Sequence, residues 1–439
     1  MTATAADQEG AATAGDAAPA GATPPAHQET PPAGAAPAAA RPATRLRVLL
    51  LSAYPAIGGP LPKLAPLVAD GLRAAGCDVV IEGWSAHHAG YESPPTKVAG
   101  RTADLWRVHR RIREWRPDVV YVATAHNRTA LLRDLPLVLT VRRGRPPLVL
   151  HLHGSECDRL GAPGARLFTA LSRLLVRRAA AVMLLSTQER RAWQAACPHV
   201  EFAVVMNPFV PTTRVAGGAV PQESAPAEAA PAAAPVVPPP GAAPAAAPHL
   251  FTVARLIPEK GVFDLLDALA IVCTHRPCRL TIAGAGPARD ELQRRIADRG
   301  LADSVTLAGY LSGDALDDAY RRADLFVLPT YFAEGFPLSV MEAMSYGLPI
   351  VTTPIRGCAD SLKAGENALF VPERDPAALA AAIERLLDDD DLRARMARAN
   401  AAKVAEFAPQ RVLPRYAEIL RDAVAAPAHA ALAHRSGRR

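Results

Sequence analysis

Unbroken apolar runs constrain this chain more than any other feature of its 439 residues, beginning with RLRVLLLSAYP and PDVVYVATA. A strand with one wet face alternates apolar and polar side chains; a strand without alternation has to be covered on both faces. PPLVLHLHG and AAAVMLLST continue the series, and HLFTVARL, CRLTIAGAG, SVTLAGYL, DLFVLPT and PIVTT repeat it later in the chain. Segments with helical spacing, such as KLAPLVADGLRAAG, FDLLDALAIVC and DALDDAYRRAD, stand between them. Buried strands alternating with helices imply parallel order and right-handed crossovers. The expected class is α/β, with two doubly wound Rossmann-like domains facing across a cleft. Ligands of such sheets sit at the carboxyl ends of the strands, so chemistry is expected in the loops there.

Composition divides the chain further. Residues 1–44 and 211–248 are rich in Ala, Pro and Gly and have too few large apolar groups to offset the entropy of ordering, so they read as a disordered tail and a disordered linker. That leaves an N-terminal domain at 45–210 and a C-terminal domain at 249–408. A helix at 409–425 is expected to cross back to the first domain, followed by a second tail at 426–439. No apolar run reaches the roughly 18 residues of a membrane span, and the amino terminus resembles neither a secretory signal nor a transit peptide. A cytoplasmic location is expected. The six cysteines form no CxxC pair, which argues for reduced thiols rather than a disulfide framework or structural zinc. Residues 46–210 carry 22 Lys and Arg against 12 Asp and Glu, whereas residues 249–425 carry 21 against 25. The basic half suits an anionic partner. Without a recognition motif or a basic stripe with interleaved aromatics, nucleic acid is not expected.

EGFPLSVMEAMSYGLPIV places Glu334 and Glu342 eight positions apart between a strand and a glycine-terminated helix. Pro337 suits the first position of that helix, because its missing N–H costs nothing there. The amides opening the helix, around Leu338 and Ser339, then offer a phosphate site. Glu342, leaning back towards the amino terminus, suits a diol such as a ribose. Glu334 is free to hold sugar hydroxyls. Arg255 and Lys260 in VARLIPEKG follow the first strand of the same half, a forked cation and a point charge suited to a diphosphate leaving group. Taken singly, each of these residues could equally be an ordinary surface side chain.

ARLIPEKG, AGAGP, VTLAGYL, EGFPLSVMEAMSYGLPIVTT and GENALFVPERDPAALAAAI together resemble the donor domain of the retaining glycosyltransferases of family 4, which have the two-domain GT-B fold. The resemblance implies that residues 45–210 form an acceptor-side domain and residues 249–408 the nucleotide-sugar-binding domain, that Glu342 binds ribose, and that Glu334 with the amides of Gly335, Phe336, Pro337 and Leu338 holds the sugar and phosphates. It implies that Arg255 and Lys260 clamp the diphosphate, and that Gly309, Tyr310 and Leu311 pack against the base; a core role for Tyr310 is the alternative. Gly58 and Gly59 in YPAIGGPLPK resemble the family's Gly-Gly loop, and His153 in HLHGSECD its sugar-contacting histidine. His151 and His153 formally make an HxH metal pair, but no further ligand at suitable spacing completes it.

The implied reaction is retaining transfer of a sugar from a nucleotide-sugar donor to a glycan or lipid-linked acceptor, in cell-surface polysaccharide biosynthesis. It needs no metal and no cofactor beyond the co-substrate. Glu334, His153, Arg255 and Lys260 are the expected catalytic set. RGCAD departs from the family's Gly-rich turn and glutamate, leaving the role of Asp360 open. DDDD at 388–391 contains D-x-D but reads as a solvated helix junction.

RTADLWRVHRRIREWRP and ARLFTALSRLLVRRAAAV mix Arg with Trp, Leu and Phe. They suit peripheral docking on an anionic membrane, or core-packed helices with charged outer faces. Three rival readings are a nicotinamide oxidoreductase, for which GAGPAR fails the G-x-G-x-x-G pattern at Arg289, a non-catalytic nucleotide-sugar binding protein, and an epimerase sharing the fold.

Overall fold

The computed structural model describes residues 45–54, 60–84, 94–141, 146–211 and 247–425. Gly58, Gly59, both tails and nearly all of the Ala/Pro-rich linker lie outside these residues. Residues 45–211 hold β1 (Leu46–Ser52), α1 (Pro60–Ala74), β2 (Cys77–Gly83), α2 (Pro94–Trp115), β3 (Val119–His126), α3 (Arg128–Thr140), β4 (Leu148–Ser155), α4 (Arg166–Arg178), β5 (Ala181–Leu184), α5 (Thr187–Ala196) and β6 (Phe202–Val204). The remainder holds β7 (His249–Val253), α6 (Val262–His275), β8 (Arg279–Ala283), α7 (Arg289–Asp298), β9 (Val305–Gly309), α8 (Asp314–Arg321), β10 (Leu325–Leu328), α9 (Leu338–Ser345), β11 (Ile350–Thr352), α10 (Arg356–Ser361), β12 (Leu369–Phe370), α11 (Pro376–Asp388), α12 (Asp390–Lys403) and α13 (Pro409–Ala425).

The strands form two six-stranded sheets, ordered β2-β1-β3-β4-β5-β6 and β12-β11-β10-β7-β8-β9, with every pairing parallel. The two doubly wound α/β sheets expected from the apolar runs are present. The runs are buried as that expectation requires: all four residues of β10 are buried, and seven of eight in β3. Each sheet also has a short edge strand, β6 or β12, that apolar patterning does not reveal.

Crossovers in the second sheet run outward from its middle. β7 leads to β8 and β9 on one side, and β10 to β11 and β12 on the other. The carboxyl ends of β7 and β10 are therefore neighbours at the point where strand order reverses, the usual seat of a ligand in such sheets.

Two stretches of chain join the halves. Phe209, just beyond β6, packs in the second half with Phe336 and Phe407, and its amide donates to Phe407 O at 2.8 Å. α13 runs the other way, burying Leu413, Tyr416, Ala417 and Leu420 among Leu50, Leu72 and Tyr121 of the first half. Tyr416 Oη donates to Met206 O at 2.9 Å, so the outgoing and returning segments are tied together.

Candidate active site

Two loops meet above the join of β7 and β10. The loop after β7 carries Arg255 and Lys260, and the loop after β10 carries Tyr331 to Pro337. They are sewn together by their backbones: Tyr331 N donates to Glu259 O at 2.9 Å. Gly261 adopts a left-handed φ of 70°, and a side chain there would come 2.1 Å from Pro329 O. Only glycine permits that approach. The AGAGP loop braces the Arg255 segment from the other side, with Leu256 N donating to Ala285 O and Ala288 N to Leu256 O.

This arrangement brings Arg255, Lys260 and Glu334 together around a residue that the sequence analysis does not single out. The Arg255 guanidinium lies 4.6 Å from the centre of the Phe332 ring, and the Lys260 ammonium 5.3 Å from the same ring. Both approaches fall within cation–π range. Lys260, almost fully buried, donates to Glu334 Oε1 in an ion pair, while Arg255 is exposed. One cation is thus engaged and the other open to solvent.

α9 starts at Leu338, one residue later than expected. Pro337 is the N-cap residue, with φ −61° and an extended ψ of 126°, and it has no N–H to offer. The first-turn amides at Leu338 and Ser339 have no intrahelical acceptor, as at any helix start. The Phe336 side chain is buried against Phe407 with ring centroids 5.4 Å apart, which leaves its backbone to face a ligand. Leu338 packs partly on the same core.

Glu342 is held by a second residue absent from the sequence analysis. Tyr320 Oη donates to Glu342 Oε2 at 2.7 Å, and the Tyr320 ring stacks on Tyr346 at 5.0 Å. Burial pushes the Glu342 carboxyl up from the usual range, while the Tyr320 hydrogen bond and the Lys63 ammonium near the start of α1 pull it back down. Gly309 O accepts from Gly284 N at 2.6 Å, and Leu311 packs on the cluster that holds Tyr320. Tyr310 is 71% exposed, which rules out the core role.

From the first half, β4 delivers His151 and His153. His151 sits inside the sheet, its Nδ1 2.6 Å from Tyr121 Oη. The His153 ring lies tilted against it with ring centroids 3.9 Å apart, and neither His153 ring nitrogen has a hydrogen-bond partner. A side chain on the following residue, Gly154, would come 3.2 Å from Ala333 O and 3.6 Å from Glu334 Cα, so the end of β4 abuts the Glu334 loop. Asp360 lies outside this cluster and accepts from the Thr187 amide and hydroxyl of the first half. At 388–391, Asp389 is a helix cap, accepting from Leu392 N at 2.7 Å. Among the described residues, no group of three His, Cys, Asp or Glu side chains could hold a metal ion.

Burial lowers the His153 pKa to about 4 against the opposing pull of the nearby Asn207 side chain, so the ring is neutral at neutral pH. Unfolding returns it to about 6.5. Between these values the unfolded chain binds more protons, so stability is full above pH 6.5 and falls as the pH drops towards 4. Urea unfolding across that window should show this loss, and His153→Gln should flatten the slope. An unchanged slope would contradict a buried neutral imidazole.

Residues 239–403 match the family described as Glycosyl transferases group 1, and residues 38–208 that described as Glycosyl transferase 4-like domain. The chain is 36% identical over 151 residues to alpha-D-kanosaminyltransferase of Streptomyces kanamyceticus, a match covering 34% of this chain and 39% of that one. It therefore spans about two fifths of that relative's length. In fold it is similar to sucrose-phosphate synthase from Thermosynechococcus elongatus (TM-score 0.68, 17% identity, 87% of this chain and all of that one). It is also similar to Anabaena HepE in complex with UDP and glucose (TM-score 0.63, 19% identity, 86% of this chain and all of that one). Two family matches, one on each parallel sheet, and a GT-B architecture over most of the chain agree: the chain belongs to the group 1, or family 4, glycosyltransferases.

Proposed function

We propose that the protein transfers a sugar from a nucleoside-diphosphate donor to a glycan or lipid-linked acceptor, with retention of configuration and without a metal, in cell-surface polysaccharide biosynthesis. The observation that carries this reading is the convergence of Arg255 and Lys260 on Phe332, with Lys260 paired to Glu334, directly ahead of the amides that open α9. The HepE structure, similar in fold, holds UDP and glucose, which favours the same donor class here.

As the sugar–phosphate bond breaks, negative charge grows on the leaving diphosphate. Arg255 and the α9 amides meet it, and Lys260 turns from Glu334 towards it. Such preorganised groups stabilise a developing anion without reorganising at the moment of reaction. Glu334, released from its ion pair, takes hydroxyls of the transferred sugar, with neutral His153 on the opposite side. Glu342, already accepting from Tyr320, takes the ribose diol. The acceptor attacks on the face the diphosphate leaves, and the leaving phosphate accepts its proton.

Exposed side chains of the first half support a membrane-bound acceptor. Val98 and Trp106 on α2, Leu132 on α3 and Leu167 on α4 are all largely exposed, and the Arg110 guanidinium lies over the Trp106 ring. No helix among the described residues is long and apolar enough to cross a membrane, so the docking proposed is peripheral. Apolar side chains among cations suit an anionic lipid surface.

A panel of nucleotide sugars should contain at least one that raises the unfolding temperature, since a ligand at about 100 times its Kd stabilises by roughly 2.7 kcal/mol. Arg255→Ala, at an exposed position, should fold normally yet lower kcat with that donor about 10²- to 10³-fold, or roughly 2.7–4 kcal/mol. A flat panel, or full activity in Arg255→Ala, would contradict the reading. Binding to phosphatidylglycerol vesicles at low salt should be lost at high salt; failure to bind at low salt would remove the membrane from the proposal.

A further inference from the structure

Beyond the donor cradle, the two halves are joined by an ion pair buried on both sides. Arg356, 3% exposed at the start of α10, donates through Nη1 to Glu189 Oε1 of α5 at 2.8 Å and through Nη2 to Asp158 Oδ2 at 2.7 Å. Its amide donates to Gln188 Oε1 at 3.1 Å. Glu189, fully buried, is itself fixed: Oε2 accepts from Leu185 N and Ser186 Oγ, and Ser186 Oγ, the N-cap of α5, accepts from Glu189 N.

Arg356 has a φ of 43°, in the left-handed region. A glycine holds that conformation freely, whereas an arginine holds it only where surrounding contacts over-determine it. This is the turn in which RGCAD departs from a Gly-rich pattern. What the arginine adds there is its fork, matched to two carboxylates of the other half.

The pair closes a circuit through the donor loop. Leu185, whose amide Glu189 holds, packs against Gly335 so closely that a side chain on Gly335 would come 2.2 Å from Leu185 Cδ1. Gly335 O accepts in turn from Gly357 N at 2.7 Å, and Gly357 follows Arg356 in the chain. The circuit therefore runs from Arg356 to Glu189, to Leu185, to Gly335, to Gly357 and back. Gly335 is the residue after Glu334. Asp360, one turn further along α10, adds a second tie to Thr187.

We propose that Arg356 is a positioning residue: its fork on Glu189 and Asp158 fixes the Glu334–Pro337 segment against the first half, so that Glu334 meets the sugar in one orientation. The assignment of sugar to Glu334 rests on the function proposed above; the positioning itself does not. The test uses the full chain carrying Arg356→Gly with Glu189→Gln. That variant relieves the left-handed backbone and leaves no unpaired buried charge, so it should fold. Hydrogen exchange without ligand reads the donor loop directly. Exchange at Glu334 and Gly357, whose amides donate to Phe332 O and Gly335 O, should quicken at least about tenfold in the variant while β3 and β8 keep their protection. With the nucleotide sugar that most stabilises the wild type, kcat should fall at least about tenfold while the affinity for the nucleoside diphosphate alone, held by Arg255 and Lys260, stays within about twofold. Unchanged exchange at Glu334 and Gly357 overturns the positioning role whether or not the wild type transfers sugar. Quickened exchange in a protein that no nucleotide sugar stabilises upholds the positioning and overturns the donor reading instead.

Discussion

Everything in the site depends on two neighbouring strands whose crossovers leave in opposite directions. β7 and β10 pair in parallel, and because the chain winds away from each on a different side, neither outgoing connection is directed across the other strand. The loops that follow them pack on each other. The left-handed Gly261 against Pro329 O and the Tyr331 to Glu259 hydrogen bond are the local signs of that packing. Arg255, Lys260, Phe332 and Glu334 are close in space because of strand order, although more than 70 residues separate Lys260 from Glu334 in sequence.

Charge in this hollow is prearranged rather than free. Lys260 is satisfied by Glu334, Arg255 rests on Phe332, and Glu342 is held by Tyr320. Each partner is one that a ligand could replace or share: a phosphate for the carboxylate on Lys260, a ribose diol beside Tyr320 on Glu342. An unpaired lysine at this depth would be costly to bury. The ion pair holds the ammonium in place, and in the proposed reaction a phosphate takes the place of the carboxylate and frees Glu334. The neutral His153, kept so by burial, adds no competing positive charge beside the loop.

The apolar runs made both sheets legible, because continuous burial leaves a strong mark on sequence. Edge strands of two or three residues leave almost none, which is why β6 and β12 could not be read. Arg255, Lys260, Glu334 and Glu342 stood out as charges beside strand ends. Phe332 and Tyr320 did not, since an aromatic near a strand reads as core until its neighbours are known. The one-residue offset at Pro337 has a similar origin: φ near −60° suits either the cap or the first turn, and only ψ separates them. Arg356 was hidden for a different reason. Its partners, Glu189 and Asp158, lie more than 160 residues away in the other half, and no local spacing connects them.

The most direct measurement is a crystal structure of the protein with a nucleoside diphosphate bound. The account predicts the diphosphate against Arg255, Lys260 and the amides opening α9, the Lys260 to Glu334 ion pair broken, and the ribose hydroxyls on Glu342. A nucleotide bound elsewhere, with Lys260 still on Glu334, would contradict it.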